Sequence, residues 1–190
     1  VVPEILPDAG EQRALLHTYG VEPGRFALAT FHRPENVDVA DNLGMILDEL
    51  AALPVPVVLP LHPRTAARAA AFGLDAKLRK LRVEEPIGYR EFLGLFAQSA
   101  FVVSDSGGVQ EEASVLKRPV VVVRRSTERP EVDGTFAELV TPGPGIGELA
   151  RRWWSDLDAL HARLAATPSP YGTGDASVRT VQAIDRMLAS

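Results

Sequence analysis

Residues 101–123 read FVVSDSGGVQEEASVLKRPVVVV. An apolar run, Phe101–Ser104, breaks at Asp105-Ser106-Gly107-Gly108, a helical pattern covers Val109–Leu116, and a second apolar run follows at Val120–Val123. Neither run alternates polar with apolar residues, so both predict strands buried on two faces. Strand, glycine turn, helix and strand in that order is the repeating unit of a parallel sheet covered by helices. Working outward, further strands are predicted at Phe26–Phe31, Val55–Leu61, Leu81–Glu84 and Glu138–Thr141. Between them, Leu43, Ile46, Leu47 and Leu50 recur at i, i+3, i+4, i+7, and Phe92, Leu95 and Phe96 repeat the helical spacing within Tyr89–Ser99. The prediction is an α/β fold with one doubly wound parallel sheet over residues 26–190. Residues 1–25 are read as an interdomain connection with a leading helix over Gln12–Tyr19, stopped at Gly20. Near the C-terminus one helix is expected over Leu149–Ala165 and another over Val178–Leu188, N-capped by Asp175. The adjacent Trp153 and Trp154 cannot share a helix face, so at least one is expected to pack against another element or a missing partner, core packing being favoured.

A chain of 190 residues with 46% hydrophobic content suffices for one large core. The net charge of -5 gives no general attraction to nucleic acid or an anionic membrane. No apolar run approaches the ~20 residues of a membrane span, and the opening VVPEILPDAG lacks the pattern of a signal peptide. The absence of cysteine excludes disulfides, thiolate metal sites and thiol nucleophiles; it suits a cytoplasmic location and equally reflects a compositional bias. No His, Cys or carboxylate cluster has metal-ligand spacing, so no metal or cofactor is expected.

Three segments carry chemistry, and each directly follows a predicted strand, where doubly wound sheets place their ligands. In DSGGVQEEA, the N-terminus of a helix presents unpaired backbone N–H groups and the positive end of its dipole. Gly107 and Gly108 permit close approach of a phosphate, and Ser106 adds a hydroxyl. The spacing is neither G-x-G-x-x-G nor a Walker motif, and such a turn also occurs without a ligand. Glu111 and Glu112 in isolation are best read as favourable charges near the helix start; the alternative role is that one carboxylate accepts the two hydroxyls of a ribose. TFHRPEN supplies His32 and Arg33 after the first strand, and LHPRT supplies His62 and Arg64 after the second. The third segment, RRSTERPE, brings three arginines, Arg124, Arg125 and Arg129, to the same rim. Guanidinium groups opposite a helix N-terminus would neutralise a diphosphate without a metal.

Together, TFHRPEN, LHPRT, DSGGVQEEA, RRSTERPE and PYGTGDAS resemble, in order and spacing, the non-hydrolysing UDP-N-acetylglucosamine 2-epimerases. The resemblance runs from about Phe26 to the C-terminus. It implies one Rossmann-like half of a two-domain GT-B-type fold, the half that binds the UDP part of a UDP-sugar. It further implies that Ser106, Gly107 and Gly108 hold the diphosphate, Glu112 the ribose and Phe92 the uracil. Arg129 and His32 would meet substrate near its phosphates, with His32 the catalytic candidate. Arg33 and His62 resemble residues that touch a second, regulatory substrate molecule. The implied partners are UDP, UDP-N-acetylglucosamine, an N-terminal domain absent from this sequence, and a second copy in a homodimer. The implied reaction eliminates UDP and re-adds it, converting UDP-N-acetylglucosamine to UDP-N-acetylmannosamine. A hydrolysing epimerase, a GT-B glycosyltransferase domain and a stand-alone nucleotide-binding module share parts of this pattern. The opening without Met and the start within a linker are read as the mark of a longer natural protein.

Overall fold

A computed structural model describes residues 2–172 and 174–188; Thr173 of the PYGTGDAS motif lies outside them. The elements run α1 (Val2–Ile5), α2 (Ala9–Thr18), β1 (Ala27–Thr30), α3 (Pro34–Val37), α4 (Ala40–Ala51), β2 (Val57–Pro60), α5 (Pro63–Ala71), α6 (Asp75–Leu78) and β3 (Arg82–Glu84). They continue with α7 (Tyr89–Gln98), β4 (Phe101–Ser104), α8 (Gly107–Leu116), β5 (Val120–Val123), a 3-10 turn at Pro130–Val132, β6 (Ala137–Val140), α9 (Gly145–Ser155), α10 (Leu157–Ala166) and α11 (Ala176–Leu188).

Six strands form one sheet in the order β3-β2-β1-β4-β5-β6, and every pairing is parallel. All the predicted strands are present, with ends that differ by no more than a residue or two. The register aligns Ala27 with Val57 on one side and with Phe101 on the other, so β1 and β4 sit at the centre. The direction in which strands are added reverses there: β2 and β3 build outward from β1, and β5 and β6 outward from β4. A crevice opens at such a switch point because the connections leave on opposite faces.

The core explains the strand composition. All four valines of β5 are fully buried, as are Phe101, Val102 and Val103 of β4, so β-branched and aromatic side chains fill both faces of the pleat. Leu43, Ile46, Leu47 and Leu50 of α4 are buried as their periodicity requires, and Leu95 and Phe96 of α7 join the same core. Trp153 is buried with its ring edge-on to Phe101 at 6.4 Å, while Trp154 stays partly exposed under the Arg25 guanidinium.

Several helix boundaries differ from expectation: α8 opens at Gly107, α9 at Gly145 and α11 at Ala176, each before its predicted start, and α1, α3, α5 and α6 have no predicted counterpart. The leading helix starts at Ala9, earlier than predicted, because Asp8 and Glu11 form a reciprocal capping box. Gly20, in the left-handed region at φ 54°, follows its C-cap. The expected helix over Leu149–Ala165 is two helices, broken at Asp156, whose φ of -139° leaves the helical region. Buried Leu149, Trp153, Leu160 and Leu164 keep helical spacing across the break, so periodicity does not register it. Ser155, which bonds back to the Arg152 carbonyl, and Asp156 are residues whose local backbone bonding competes with a helix interior.

The leading segment docks on α7. Tyr19 donates to Glu91 at 2.8 Å, Arg90 donates to the Ile5 carbonyl at 2.8 Å, and Pro7 and Leu15 cover Gly94. A Cβ at Gly94 would lie 2.7 Å from Leu15 Cδ1 and 3.0 Å from Pro7 Cγ, and the proline ring cannot yield. Gly94→Val is therefore expected to lower stability by about 1–3 kcal/mol through overpacking, read as a fall in the urea midpoint at constant slope. An unchanged midpoint would mean that α2 is not packed on α7 in solution.

Candidate nucleotide-binding site

The C-terminal ends of β1 and β4 are bound together by one buried carboxylate. Asp105, which follows β4 and is fully buried, accepts the backbone N–H of His32 at 3.2 Å, the backbone N–H of Arg33 at 3.0 Å and the side-chain amide of Asn36 at 3.1 Å. The His32 ring joins the cluster, with Nδ1 3.3 Å from Asp105 Oδ1. Asn36, also buried, donates in addition to the Val123 carbonyl at 2.9 Å, which extends the network to the end of β5. Asp105 thereby supplies acceptors for backbone donors at the start of α3, where Arg33 occupies the N-cap position and its side chain makes no cap.

Beside this network lies a cavity of about 340 Å3. Its walls include His32, His62, Phe92, Ser106, Gly108 and Glu112, with Pro60, Pro86, Ile87 and Tyr89 among the remaining residues. Most of the residues singled out in the sequence thus meet in one place. Ser106 is the N-cap of α8 and forms no side-chain cap bond; its backbone N–H is taken by Ser104 Oγ at 3.0 Å. The start of α8 opens toward the cavity with its hydroxyl and first-turn N–H groups uncommitted to a cap, an arrangement suited to an anion.

The other end of the cavity is apolar and aromatic. Phe92 packs edge-on against Phe96 with ring centroids 6.0 Å apart, and Ile87 and Pro86 lie nearby. Glu112 lines the same cavity. Burial pushes its carboxyl above the usual range, while a hydrogen bond from the Tyr89 hydroxyl, 2.8 Å from Oε1, pulls it down. Tyr89 is in turn pushed up to about 12 by burial and by Glu112. The rings of His32 and His62 lie 5.9 Å apart, and His62 Nδ1 accepts the Arg64 backbone N–H at 3.2 Å, which leaves the Nε2 side for a ligand.

Gly107, Arg33 and Arg129 are not among the cavity walls. Gly107 faces the flank of the helix start, where an added Cβ would lie 3.7 Å from Glu128 Oε2 and 3.9 Å from Arg33 Nη2. Arg33 reaches Glu128 at 3.4 Å, and its Nε is buried without a hydrogen-bond partner. Arg124 pairs with the same carboxylate; this pairing, with a backbone bond and Arg33, holds Glu128 down at about 2. Arg129 pairs with Glu111. Two of the three loop arginines are therefore neutralised within the chain, which the sequence did not disclose. Glu111 serves as an ion-pair partner, and Glu112 alone of the two glutamates faces the cavity.

Asp105 and Asn36 are the structural residues that motif reading passed over. The signal was present: an Asp directly after an apolar strand and an Asn two residues after a proline are poor occupants of a core unless paired with each other. Among the described residues, no group of three or more His, Cys, Asp or Glu is placed to hold a metal ion, and no helix is long and apolar enough to cross a membrane.

Comparison with known proteins places this geometry in context. Residues 4–185 match the model of the UDP-N-acetylglucosamine 2-epimerase family. A UDP-N-acetylglucosamine 2-epimerase of Methanocaldococcus jannaschii is 32% identical over 177 residues, which cover 90% of this chain and 47% of that protein. A UDP-2,3-diacetamido-2,3-dideoxy-D-glucuronate 2-epimerase of Pseudomonas aeruginosa is 36% identical over 168 residues, covering 85% of this chain and 45% of that protein. The crystal structure of the M. jannaschii enzyme in complex with UDP-GlcNAc and UDP superposes with a TM-score of 0.73 at 32% identity, over 93% of this chain and 48% of that one. The chain thus spans about half the length of these relatives. Matched by the family model over residues 4–185, the chain belongs to the UDP-N-acetylglucosamine 2-epimerase family.

Proposed function

We propose that this chain is the nucleotide-binding half of a UDP-N-acetylglucosamine 2-epimerase, holding UDP while the sugar is remodelled against a second domain. The observation that carries the reading is the placement of Glu112 relative to the open start of α8. The two are separated by four to five helical residues, or about 7 Å of rise. A diphosphate on Ser106 and Gly108 would then leave its ribose diol beside Glu112 and its base against Phe92 and Ile87. The apolar wall suits a pyrimidine face, and the carboxylate suits two vicinal O–H donors.

In the proposed reaction a proton leaves carbon 2 of the sugar as UDP leaves carbon 1, giving 2-acetamidoglucal; UDP then bonds carbon 1 again on the same face while a proton returns to carbon 2 on the opposite face, giving UDP-N-acetylmannosamine. Negative charge grows on the departing diphosphate. The dipole and N–H groups of α8 are fixed before the reaction and stabilise that charge more than the ground state, as does an N–H from His32. His32 is held by Asp105 on its Nδ1 side, so Nε2 is the nitrogen that would donate to the leaving group. Residues 1–25 would connect to the second domain, which would close the cleft and carry most of the proton transfer. The full-length protein would act in the cytoplasm as a homodimer, with Arg33 and His62 toward a regulatory substrate molecule.

The Pseudomonas relative favours a second reading of the sugar alone, since its name specifies a diacetamido uronate. Both substrates share UDP and the chemistry at carbons 1 and 2, so this site would serve either. Product analysis on the two-domain protein separates them, and also distinguishes epimerisation from hydrolysis to free sugar.

The nucleotide assignment is tested on the chain itself by calorimetry. UDP should bind saturably, and Glu112→Ala should weaken UDP by about tenfold or more while leaving 2′,3′-dideoxy-UDP nearly unchanged, because only UDP offers the diol. Absence of saturable heat with UDP, or equal losses for both ligands, would count against it.

A further inference from the structure

Resting on the reading of Glu112 as the ribose acceptor, we infer that Tyr89 is a positioning residue for that carboxylate, aiming its unoccupied lone pairs at the diol. The Tyr89 hydroxyl donates to Glu112 Oε1 at 2.8 Å, and both residues line the cavity. Tyr89 is the first residue of α7, and Phe92 follows three residues later on the same face, so one helical turn serves both the base and the ribose ends of the site. Packing does not account for a tyrosine here, since the side chain is 47% exposed. Its hydroxyl bridges α7 to α8 across the mouth of the cavity and fixes the Glu112 rotamer before any ligand arrives. Bonding to Oε1 still leaves a lone pair there and both on Oε2, enough for two ribose hydroxyls.

The bond has a second consequence. Burial and the neighbouring Glu111 both push the Glu112 carboxyl up, and the Tyr89 hydroxyl opposes them. A protonated Glu112 would have fewer acceptor sites and a competing donor, so the tyrosine favours the ionised form that accepts the diol. The titratable groups facing Glu112 are Tyr89 from α7, Glu111 on α8 itself, and His32 and His62 across the cavity.

The test is Tyr89→Phe, titrated with UDP and with 2′,3′-dideoxy-UDP between about pH 5 and pH 8, a span that covers a raised carboxylate. Both ligands carry the same diphosphate and meet the same histidines, so the ratio of their affinities isolates recognition of the diol. Removing the hydroxyl should lower the preference for UDP by about fivefold near neutral pH. As pH falls, the preference should also decline at a higher pH than in the unaltered chain, because the bond that lowers the Glu112 pKa is gone. A preference that stays the same at every pH, or equal weakening of both ligands, overturns the inference. Glu112→Gln run in parallel separates the two claims. If it leaves the preference intact, the ribose reading itself fails; if it abolishes the preference while Tyr89→Phe does not move it, only the role of Tyr89 falls.

Discussion

Supplied with UDP-N-acetylglucosamine in deuterated buffer, the 190-residue chain alone is expected to leave carbon 2 of the sugar unlabelled. Abstraction of that proton needs a base within about 3 Å of it, held in place while the diphosphate is anchored elsewhere. On the proposed reading the titratable side chains of the cavity serve the nucleotide: Glu112 with Tyr89 meets the ribose, His32 against Asp105 meets the phosphates, and the His62 ring lies 5.9 Å from that of His32, on the same side. Glu131, the last residue of the RRSTERPE segment, is exposed on the 3-10 turn and is not a cavity wall. A sugar projecting from this site would face solvent on one side, so the ring would be neither oriented nor shielded. Positioning is worth about 7–11 kcal/mol in well-aligned reactions and general acid–base help only about 10²–10⁴-fold, so losing the former leaves little catalysis. Proton NMR is the measurement. Deuterium at carbon 2 at an enzymatic rate would place a complete base on this chain and refute the division of labour; co-expression with the second domain should restore exchange.

Asp105→Ala is expected to cost about 3–5 kcal/mol of folding stability. The substitution removes a fully buried acceptor and strands the backbone N–H groups of His32 and Arg33 and one donor of Asn36. Each would lose a charge-assisted bond with no water to replace it, and the small alanine would leave a void. Asp105→Asn should be milder, since its carbonyl can still accept, but its amide would face donors. Urea unfolding measures both, with the linear slope checked for a change in cooperativity. A loss for Asp105→Ala below about 1 kcal/mol would mean that solvent reaches the switch point and the network is not as closed as its burial indicates.

Much of this fold is written locally. Val120–Val123 and Phe101–Val103 can hardly be anything but doubly covered strands, and the spacing of Leu43, Ile46, Leu47 and Leu50 settles α4. The same holds for the placement of His32, His62, Ser106 and Glu112, because strand ends in such a sheet share one rim. What escaped was pairing across the chain. The commitment of Arg124 to Glu128 and of Arg129 to Glu111 depends on how the loop after β5 folds back over α8, and residue types alone leave those arginines equally suited to a ligand. The break at Asp156 escaped for a different reason: the apolar rhythm is continuous across it, so only the competing preference of Ser155 and Asp156 could have signalled it. Tyr89 was legible only as the first turn of a helix; its hydroxyl acquires meaning from Glu112 on another element.

The central pairing of β1 with β4 joins Ala27 to Phe101, segments separated by three helical crossovers. Closing so long a loop adds little to its free-energy cost, because that cost grows only logarithmically with length, but it delays the contact in time. The β1–β2–β3 portion and the β4–β5–β6 portion can each assemble from nearer neighbours, and the seam between them must wait for both. The crevice proposed to hold the nucleotide is that seam. Folding of this chain should therefore be slow for its size, as topologies dominated by distant contacts are, and the crevice comes into being only when the two portions meet.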